Sequence, residues 1–483
     1  MQINRVAAAV ACALVVMGGT VFAAENPNQE SERMAAELRS LREQIVQMQS
    51  LYEARISVLE EKLATMTEVQ TQAPVGVAQP QPARSDPVQP APSQTIARSG
   101  ATAFNPEVSV ILQGAYAHQK NVEDRRIGGF LGSGGHSHEG HGGKRGFNVD
   151  HTELMFAANI DPYWRGQVML AAVDEAVDVE EAWIQTTALG YGVKIKAGRF
   201  LSGIGYMNEQ HAHDWDFYEQ PLMYRALFGS HNYGKDGVQV KWVAPLDTFV
   251  EFGAEVGRGR EFPSTDKNSN APSSYSLFAH VGNDIGVSHS WRAGLSWLRT
   301  QAREREGEFR AANPHWSGGS YHNYEEGWFS GHSQMWIADF VYKWAPEGNP
   351  ARRNFKLQGE YFIRTEKGDL AIDHDGRVRN GQWDTRQSGF YVAGVYKFTP
   401  NWRAGMRYDR LDSGRQNVQG LERWVTVEDY RPDRISAMVD YSWSDFSRLR
   451  LQYARDRATP GVTDNQVTLQ YIMSLGGHGA HKF

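Results

Sequence analysis

From residue 105 onwards, the chain alternates apolar residues with polar or small ones, which is the two-residue period of a β-strand with one apolar face. Residues 235–243, 273–283 and 464–475 show the pattern most clearly. About sixteen such segments follow one another, and most are long enough to cross a lipid bilayer on a tilt. The pattern therefore predicts an all-β transmembrane fold, an antiparallel β-barrel of about sixteen strands.

The connections between these segments are sorted by length. After even-numbered segments they are short, as at 160–162 and 399–400. Most connections after odd-numbered segments are predicted to be long loops, namely 119–147, 201–234, 258–272, 300–332, 365–386 and 411–432. Aromatic residues flank the short turns, as Tyr191 and Trp443 do. Short turns with aromatic residues on one rim and long loops on the other are typical of bacterial outer-membrane barrels.

The N-terminal region has a different organisation. Residues 1–24 combine Arg5 with a short apolar run and a small-residue cleavage site, which indicates a secretory signal peptide. Residues 25–70 are predicted to form a periplasmic α-helix with an apolar seam at heptad spacing. This seam favours an oligomeric coiled coil, and the alternative is a helix that docks on its own barrel. Residues 71–103, rich in Pro, Gln and Ala, are predicted to be a disordered linker to the barrel at 104–483.

Composition excludes several classes of protein. The 483 residues carry a net charge of −6, which offers no basic footprint for nucleic acid. No apolar run beyond the N-terminus is long enough for a membrane-spanning helix. The single cysteine, Cys12, lies in the predicted signal peptide, so disulfides and cysteine metal sites are not expected. Motifs of hydrolases, zinc proteases and phosphate-binding loops are missing, and we do not expect an enzyme.

Strand alternation also predicts which charged residues line the barrel interior, because charges on a lipid-facing surface are unfavourable. The predicted pore-lining residues are Lys194, Lys196, Lys241, Arg292, Lys343, Arg403, Arg407, Arg448, Arg450 and Asp339. The basic excess suggests a channel that favours anions. The alternative is that these charges pair with acidic residues and only keep the wall polar.

Histidines are concentrated in two predicted loops, together with carboxylates. His136, His138 and His141 lie in a glycine-rich stretch, and His211, His213 and Asp214 lie close together in the 201–234 connection. Imidazole and carboxylate are suitable ligands for zinc and similar divalent metals. We therefore predict weak, adaptable metal contact at these six residues and no tightly bound cofactor. The alternative is a solvated loop whose histidines have no role.

Several stretches resemble known outer-membrane proteins. Residues 104–116 (FNPEVSVILQGAY), 197–206 (AGRFLSGIGY) with 208–211 (NEQH), and 470–481 (QYIMSLGGHGAH) are similar to a proteobacterial family often labelled zinc-regulated outer-membrane receptor or TonB-dependent receptor. A TonB-dependent receptor has a plug domain and a barrel of about 22 strands. The resemblance implies an outer-membrane protein with zinc or another divalent metal as substrate, and the prediction of about sixteen strands argues against energised transport.

The organisation also resembles bacterial porins, especially trimeric sugar-specific porins with an N-terminal coiled coil. This resemblance implies a homotrimer in outer-membrane lipid, and a segment after the fifth strand that folds inward to narrow the pore. We therefore expect a porin-like channel for small solutes, with divalent metal ions such as zinc captured by the histidine-rich loops. The alternatives are an anion-selective porin and a non-transport barrel that anchors a periplasmic coiled coil.

Overall fold

The structure is a computed structural model that describes residues 106–122, 125–130, 144–173, 176–266, 269–317 and 320–476. The predictions of a signal peptide at 1–24, a coiled coil at 25–70 and a linker at 71–103 lie outside the described residues. The same is true of the histidine tract His136, His138 and His141. All of these stay predictions.

The chain from Glu107 to Gly476 forms a closed barrel of sixteen antiparallel strands, in which β1 pairs with β16 and every other strand with its neighbours in sequence. The fold prediction is confirmed. The strands are β1 (Glu107–His118), β2 (Gly146–Asn159), β3 (Trp164–Val173), β4 (Ala176–Thr186), β5 (Val193–Leu201), β6 (Gly234–Val243), β7 (Phe249–Gly259), β8 (Ser274–Ile285), β9 (His289–Ser317), β10 (Ser320–Trp344), β11 (Asn354–His374), β12 (Arg377–Lys397), β13 (Trp402–Gln419), β14 (Asp433–Ser444), β15 (Ser447–Arg457) and β16 (Asp464–Gly476).

Alternate residues of each strand face opposite sides of the barrel wall. In β8, Ser276 and Phe278 are buried on the inner side, whereas Tyr275 and Leu277 are exposed on the outer side. Large apolar side chains are exposed in this way around the wall, among them Leu112, Phe156, Ile184, Val240, Leu277, Leu295, Phe340, Val392, Ile435, Leu451 and Leu469. Such a surface is unfavourable in water, and its natural surrounding is the hydrocarbon of a lipid bilayer.

One rim of the barrel carries the short turns, and we call it the short-turn rim. Aromatic residues are exposed at its turns, including Tyr163, Tyr191, Trp402 and Trp443. Their amphipathic rings suit the boundary between lipid and water. Among the described residues, no helix combines the length and the apolar character that crossing a membrane requires. The one α-helix among them, α1 (Leu222–Phe228), is seven residues long and follows β5.

The opposite rim differs from the sequence prediction at β9 to β13. The connections 300–332, 365–386 and 411–432 were expected to be loops, and this expectation is wrong for most of their length. The strands instead continue past their predicted ends. Their extensions form a raised sheet, which consists of residues 300–317, 320–332, 365–374, 377–386 and 411–419.

The raised sheet has an apolar cluster of its own, which explains why the strands continue. Phe309 and Trp383 meet edge to face at 5.6 Å between ring centroids, and Leu370 and Ile372 are fully buried beside them. The residue Glu304 has a φ of 50° and lies in a bulge. This bulge interrupts the two-residue period of β9. Because the outer face here is also charged, the sequence pattern did not separate these extensions from polar loops.

The outward position of Leu295 gives a direct test of the lipid-facing surface. Leu295 is half exposed and pairs with Ala279 in the middle of β8. We expect Leu295→Arg to lower the free energy of unfolding in lipid vesicles by about 2–4 kcal/mol, because it places a charge near the bilayer midplane. The matched control is Val287→Arg in the exposed β8–β9 turn, which should cost about 1 kcal/mol or less. Equal losses in denaturant titrations would contradict a lipid-facing Leu295.

Candidate site in the barrel interior

Residues 202–233, between β5 and β6, fold into the barrel, and we call them the inserted segment. Its two ends are tied together at the wall. The Asn208 side-chain amide donates to the carbonyl oxygens of Ser202 (2.7 Å) and Tyr233 (2.9 Å), and its side-chain oxygen accepts from the Tyr233 amide (2.8 Å). From this base the segment reaches strands as distant as β13, β14 and β15. It therefore crosses the interior.

Glu360 on β11 holds the first part of the inserted segment. Its carboxylate accepts hydrogen bonds from the backbone amides of Tyr206 (3.2 Å) and Met207 (3.1 Å). It also accepts from the Tyr224 hydroxyl of α1 and from the Tyr391 hydroxyl of β12, both at 2.9 Å. A buried carboxylate with four donors is a well-satisfied anchor, because each lost partner would leave a desolvated polar group.

Helix α1 packs its apolar side chains on the inner wall. Leu222, Met223, Leu227 and Phe228 are buried in one cluster with inward-facing residues of the strands. The wall residues of this cluster include Phe278, Leu298, Met335, Ile337, Phe362, Tyr391, Leu411 and Met438. Burial of this apolar surface favours the inserted segment in the interior over a position in water.

The carboxylate of Asp216 pairs with the basic wall. It lies 2.6 Å from the Lys356 ammonium and 2.8 Å from the Arg403 guanidinium. Burial disfavours the ionised form, but these two cations hold the pKa of Asp216 below its usual range. Arg403 also contacts Asp440 at 2.7 Å. Asp216 is therefore a buried anion that two strands bind jointly.

Glu219 makes the second set of contacts between the inserted segment and the basic wall. Its carboxylate lies 2.7 Å from Arg434 and 3.3 Å from Arg407, and it accepts from the Gln452 side-chain amide at 2.9 Å. Arg407 also donates to the Glu219 carbonyl oxygen at 2.8 Å. Charge-assisted contacts of this kind are stronger than neutral ones, so they fix the middle of the segment against β13, β14 and β15.

The other predicted pore-lining residues lie on the inward side of their strands, and many have acidic partners there. Lys241 pairs with Glu209 (3.0 Å), Arg292 with Asp339 (3.6 Å) and Arg450 with Asp440 (2.9 Å). Arg448 donates to the His213 carbonyl oxygen at 2.7 Å. The alternation of β5 and β10 gives Lys194, Lys196 and Lys343 the same inward parity. Much of the basic excess is thus neutralised inside the barrel.

His211 and His213 meet a group of glutamates on the opposite part of the wall. His211 lies 3.4 Å from Glu180 and 3.5 Å from Glu181, through different ring nitrogens. His213 lies 2.8 Å from Glu153 and 3.3 Å from Asp214. The two imidazole rings stack in parallel at 5.9 Å between centroids. We call these six residues the histidine–glutamate cluster.

A bulge in β4 explains how two consecutive glutamates reach this cluster. Met169 pairs with Glu181 and Leu170 with Val179, so Glu180 is the extra residue of the bulge. Regular alternation would place Glu180 and Glu181 on opposite faces. The sequence prediction named neither residue, and only a signal for the bulge could have shown that both reach the cluster. It included His211, His213 and Asp214, which the structure brings together.

The histidine–glutamate cluster has the donor types and the spacing of a divalent metal site. One ligand atom each of Glu153, Glu180 and His211 lie within 4.8 Å of one another. Two carboxylates and the imidazole of His211, once it has released its proton, can hold zinc or a similar ion. A cavity of about 120 Å³ adjoins the cluster, and its lining includes Glu180, His211 and His231.

The comparisons with known proteins provide little functional guidance. No known family profile matches the chain. An uncharacterized protein of Aquifex aeolicus (strain VF5) is 29% identical over 411 residues, which cover 79% of this chain and 80% of that protein.

Several outer-membrane structures also match, at low similarity. The loop L8 deletion mutant of OmpT from Vibrio cholerae is 12% identical, with a TM-score of 0.45 and coverage of 77% of this chain and 100% of that one. The outer membrane channel DcaP of Acinetobacter baumannii is 11% identical, with a TM-score of 0.45 and coverage of 77% and 97%. An anion-selective porin from Comamonas acidovorans is 10% identical, with a TM-score of 0.44 and coverage of 77% and 99%. Sequence identities and TM-scores this low do not assign a function to this chain.

The ion pairs of Asp216 can be tested by proteolysis. Asp216→Asn leaves Lys356 and Arg403 without their shared anion, and loss of one partner of a buried pair costs about 3–5 kcal/mol. We expect chymotrypsin to cut the inserted segment of this variant faster than that of the wild type. Asp247→Asn, in the exposed β6–β7 turn, is the matched control and should be cut like the wild type. Equal cleavage of both variants would contradict the anchoring role.

The pH dependence of stability tests the surroundings of His211. Burial alone lowers its pKa, but the contacts with Glu180 and Glu181 raise the pKa well above the usual range. The stabilisation is therefore fully present below the unfolded pKa of about 6.5 and is lost as pH rises through the folded pKa. In denaturant titrations, the stability difference between wild type and His211→Gln should be larger at pH 6 than at pH 10. The same difference at both values would refute this ionisation.

Proposed function

We propose that this protein is an outer-membrane channel without catalytic activity, through which small solutes, and divalent cations in particular, cross passively. The observation that carries the proposal is the interior itself. A closed barrel with an apolar outer surface has a polar inner wall, and the inserted segment crosses the interior and narrows it. A polar interior of this kind also lines the water-filled channels of porins, and it supports the proposal.

The histidine–glutamate cluster favours cations over anions. The basic residues that suggested anion preference are largely paired with Asp216, Glu219 and Asp440. In contrast, Glu153, Glu180 and Glu181 converge on two histidines beside a cavity. A site with several weak carboxylate and imidazole ligands attracts a divalent ion and still releases it, as conduction requires.

The remaining parts of the chain fit this proposal as follows. His136, His138 and His141 would bind metal ions weakly before the ions enter the barrel. The helix at 25–70 would join three barrels into a homotrimer through a periplasmic coiled coil, with outer-membrane lipid around the trimer. Glycine-rich histidine tracts and heptad seams support these roles by their composition and spacing alone.

Zinc flux into proteoliposomes tests the proposal. Vesicles loaded with a zinc-sensitive dye should show faster zinc influx with the wild-type protein than without protein. Glu153→Gln combined with Glu180→Gln should reduce the influx several-fold, because it removes the two charges that attract the ion. Asp445→Asn, in the exposed β14–β15 turn, is the matched control and should leave the influx unchanged.

Planar-bilayer recordings separate the alternatives. Reversal potentials that show cation preference support the proposal, whereas strong anion preference would favour the anion-selective channel. The absence of any open-channel current, together with no zinc influx, would contradict conduction and leave the anchoring role. An unchanged zinc influx in the double glutamine variant would contradict the role of the histidine–glutamate cluster.

A further inference from the structure

The raised sheet ends in a second group of histidines and carboxylates, remote in sequence from the histidine–glutamate cluster. His315 comes from β9, Glu325 from β10 and His374 from the end of β11, and Asp375 follows in the β11–β12 turn. One ligand atom each of His315, Glu325 and His374 lie within 4.8 Å of one another. The two imidazole rings are 4.8 Å apart between centroids.

Both imidazoles turn the same nitrogen toward Glu325. The Glu325 Oε1 atom lies 3.0 Å from Nδ1 of His374 and 3.8 Å from Nδ1 of His315. In a tetrahedral zinc site with bonds of about 2.0–2.1 Å, ligand atoms are about 3.3 Å apart. The two observed distances bracket that value, so a small shift of the side chains would place an ion between the three atoms.

Asp375 lies on the other side of the two rings. Its carboxylate oxygens are 3.2 Å from Nε2 of His315 and 4.0 Å from Nε2 of His374. A carboxylate that accepts from Nε2 keeps the proton on that nitrogen and leaves Nδ1 free to bind a metal. Asp375 is therefore placed to orient His315 by a hydrogen bond, which is a usual arrangement behind metal-binding histidines, and its charge lies close to His374.

Local backbone structure fixes these positions. Asp375 and Gly376 both have positive φ values, 53° and 72°, as the tight hairpin turn between β11 and β12 requires. Glu325 is buried, and continuation of the β10–β11 register from Gly327 and Ile372 places it opposite His374. His315 lies beyond an irregularity in the β9–β10 pairing, which lets its side chain approach from a third strand.

We propose that His315, Glu325 and His374 bind a divalent transition-metal ion, with zinc as the preferred probe, at the end of the raised sheet. Two imidazole nitrogens and one carboxylate oxygen suit zinc, nickel or copper, whereas calcium and magnesium prefer sites made of oxygen ligands. The ion would join the ends of three adjacent strands. This proposal does not rest on conduction, because the site is built from the raised sheet alone.

Zinc titration of the full chain, refolded in detergent at pH 7.5, tests the site. All proteins carry His136→Ala, His138→Ala and His141→Ala, so that the predicted histidine tract does not contribute. With a chromophoric chelator as competitor, His374→Ala and Glu325→Gln should each lose one equivalent of bound zinc. Asp375→Asn should keep the equivalent but bind it about ten- to a hundredfold more weakly. His289→Ala is the matched control and should bind like the parent, since His289 contacts Tyr342 at the other end of β9.

The outcomes are distinct. Loss of the equivalent in His374→Ala and Glu325→Gln, with the control unchanged, supports the site. Glu325→Gln preserves side-chain size, so it separates a lost ligand from a misfolded strand. Equal zinc binding by the parent and both ligand variants would overturn the proposal, as would an equal loss in His289→Ala or displacement of zinc by equimolar calcium. A failure here would leave the zinc-influx result unaffected.

Discussion

The arrangement of the interior depends on the ion pairs between the inserted segment and the basic wall. Asp216 and Glu219 are carboxylates on a connection, and their partners lie on β11, β13 and β14. Buried charges are tolerated only when they are paired, so each side needs the other. The wall arginines keep the segment in the interior, and the segment in turn neutralises arginines that would otherwise repel one another.

This mutual dependence changes what the basic residues mean for function. As an unpaired ladder, Arg403, Arg407 and Arg450 would create a positive interior and favour anions. Paired with Asp216, Glu219 and Asp440, they form a structural seam. For an ion that crosses the barrel, the electrostatic potential is then set by groups such as the histidine–glutamate cluster, where the acidic side chains outnumber the basic ones.

The sequence allowed much of the fold to be predicted, because membrane strands follow a strict period and the inner and outer faces need opposite chemistry. The number of strands was predicted correctly, and the ends of most of them closely. The raised sheet was missed because its outer face is charged and a bulge near Glu304 breaks the period. Glu180 was missed for a similar reason, as a bulge reverses the direction of one side chain. His211 and His213 were predicted from composition, but their glutamate partners lie on β2 and β4, and no local pattern encodes which strands the inserted segment reaches.

Single-channel conductance measures whether paired carboxylates hold the inserted segment across the interior and thereby narrow it. The measurement compares the wild type with a variant that carries both Asp216→Asn and Glu219→Gln in planar bilayers. We expect a larger conductance for the variant, since a released segment leaves a wider path through the barrel. We also expect a shift of ion selectivity toward anions, because Lys356, Arg403 and Arg434 lose acidic partners. Unchanged conductance and selectivity in a correctly folded variant would show that these carboxylates do not hold the inserted segment across the interior.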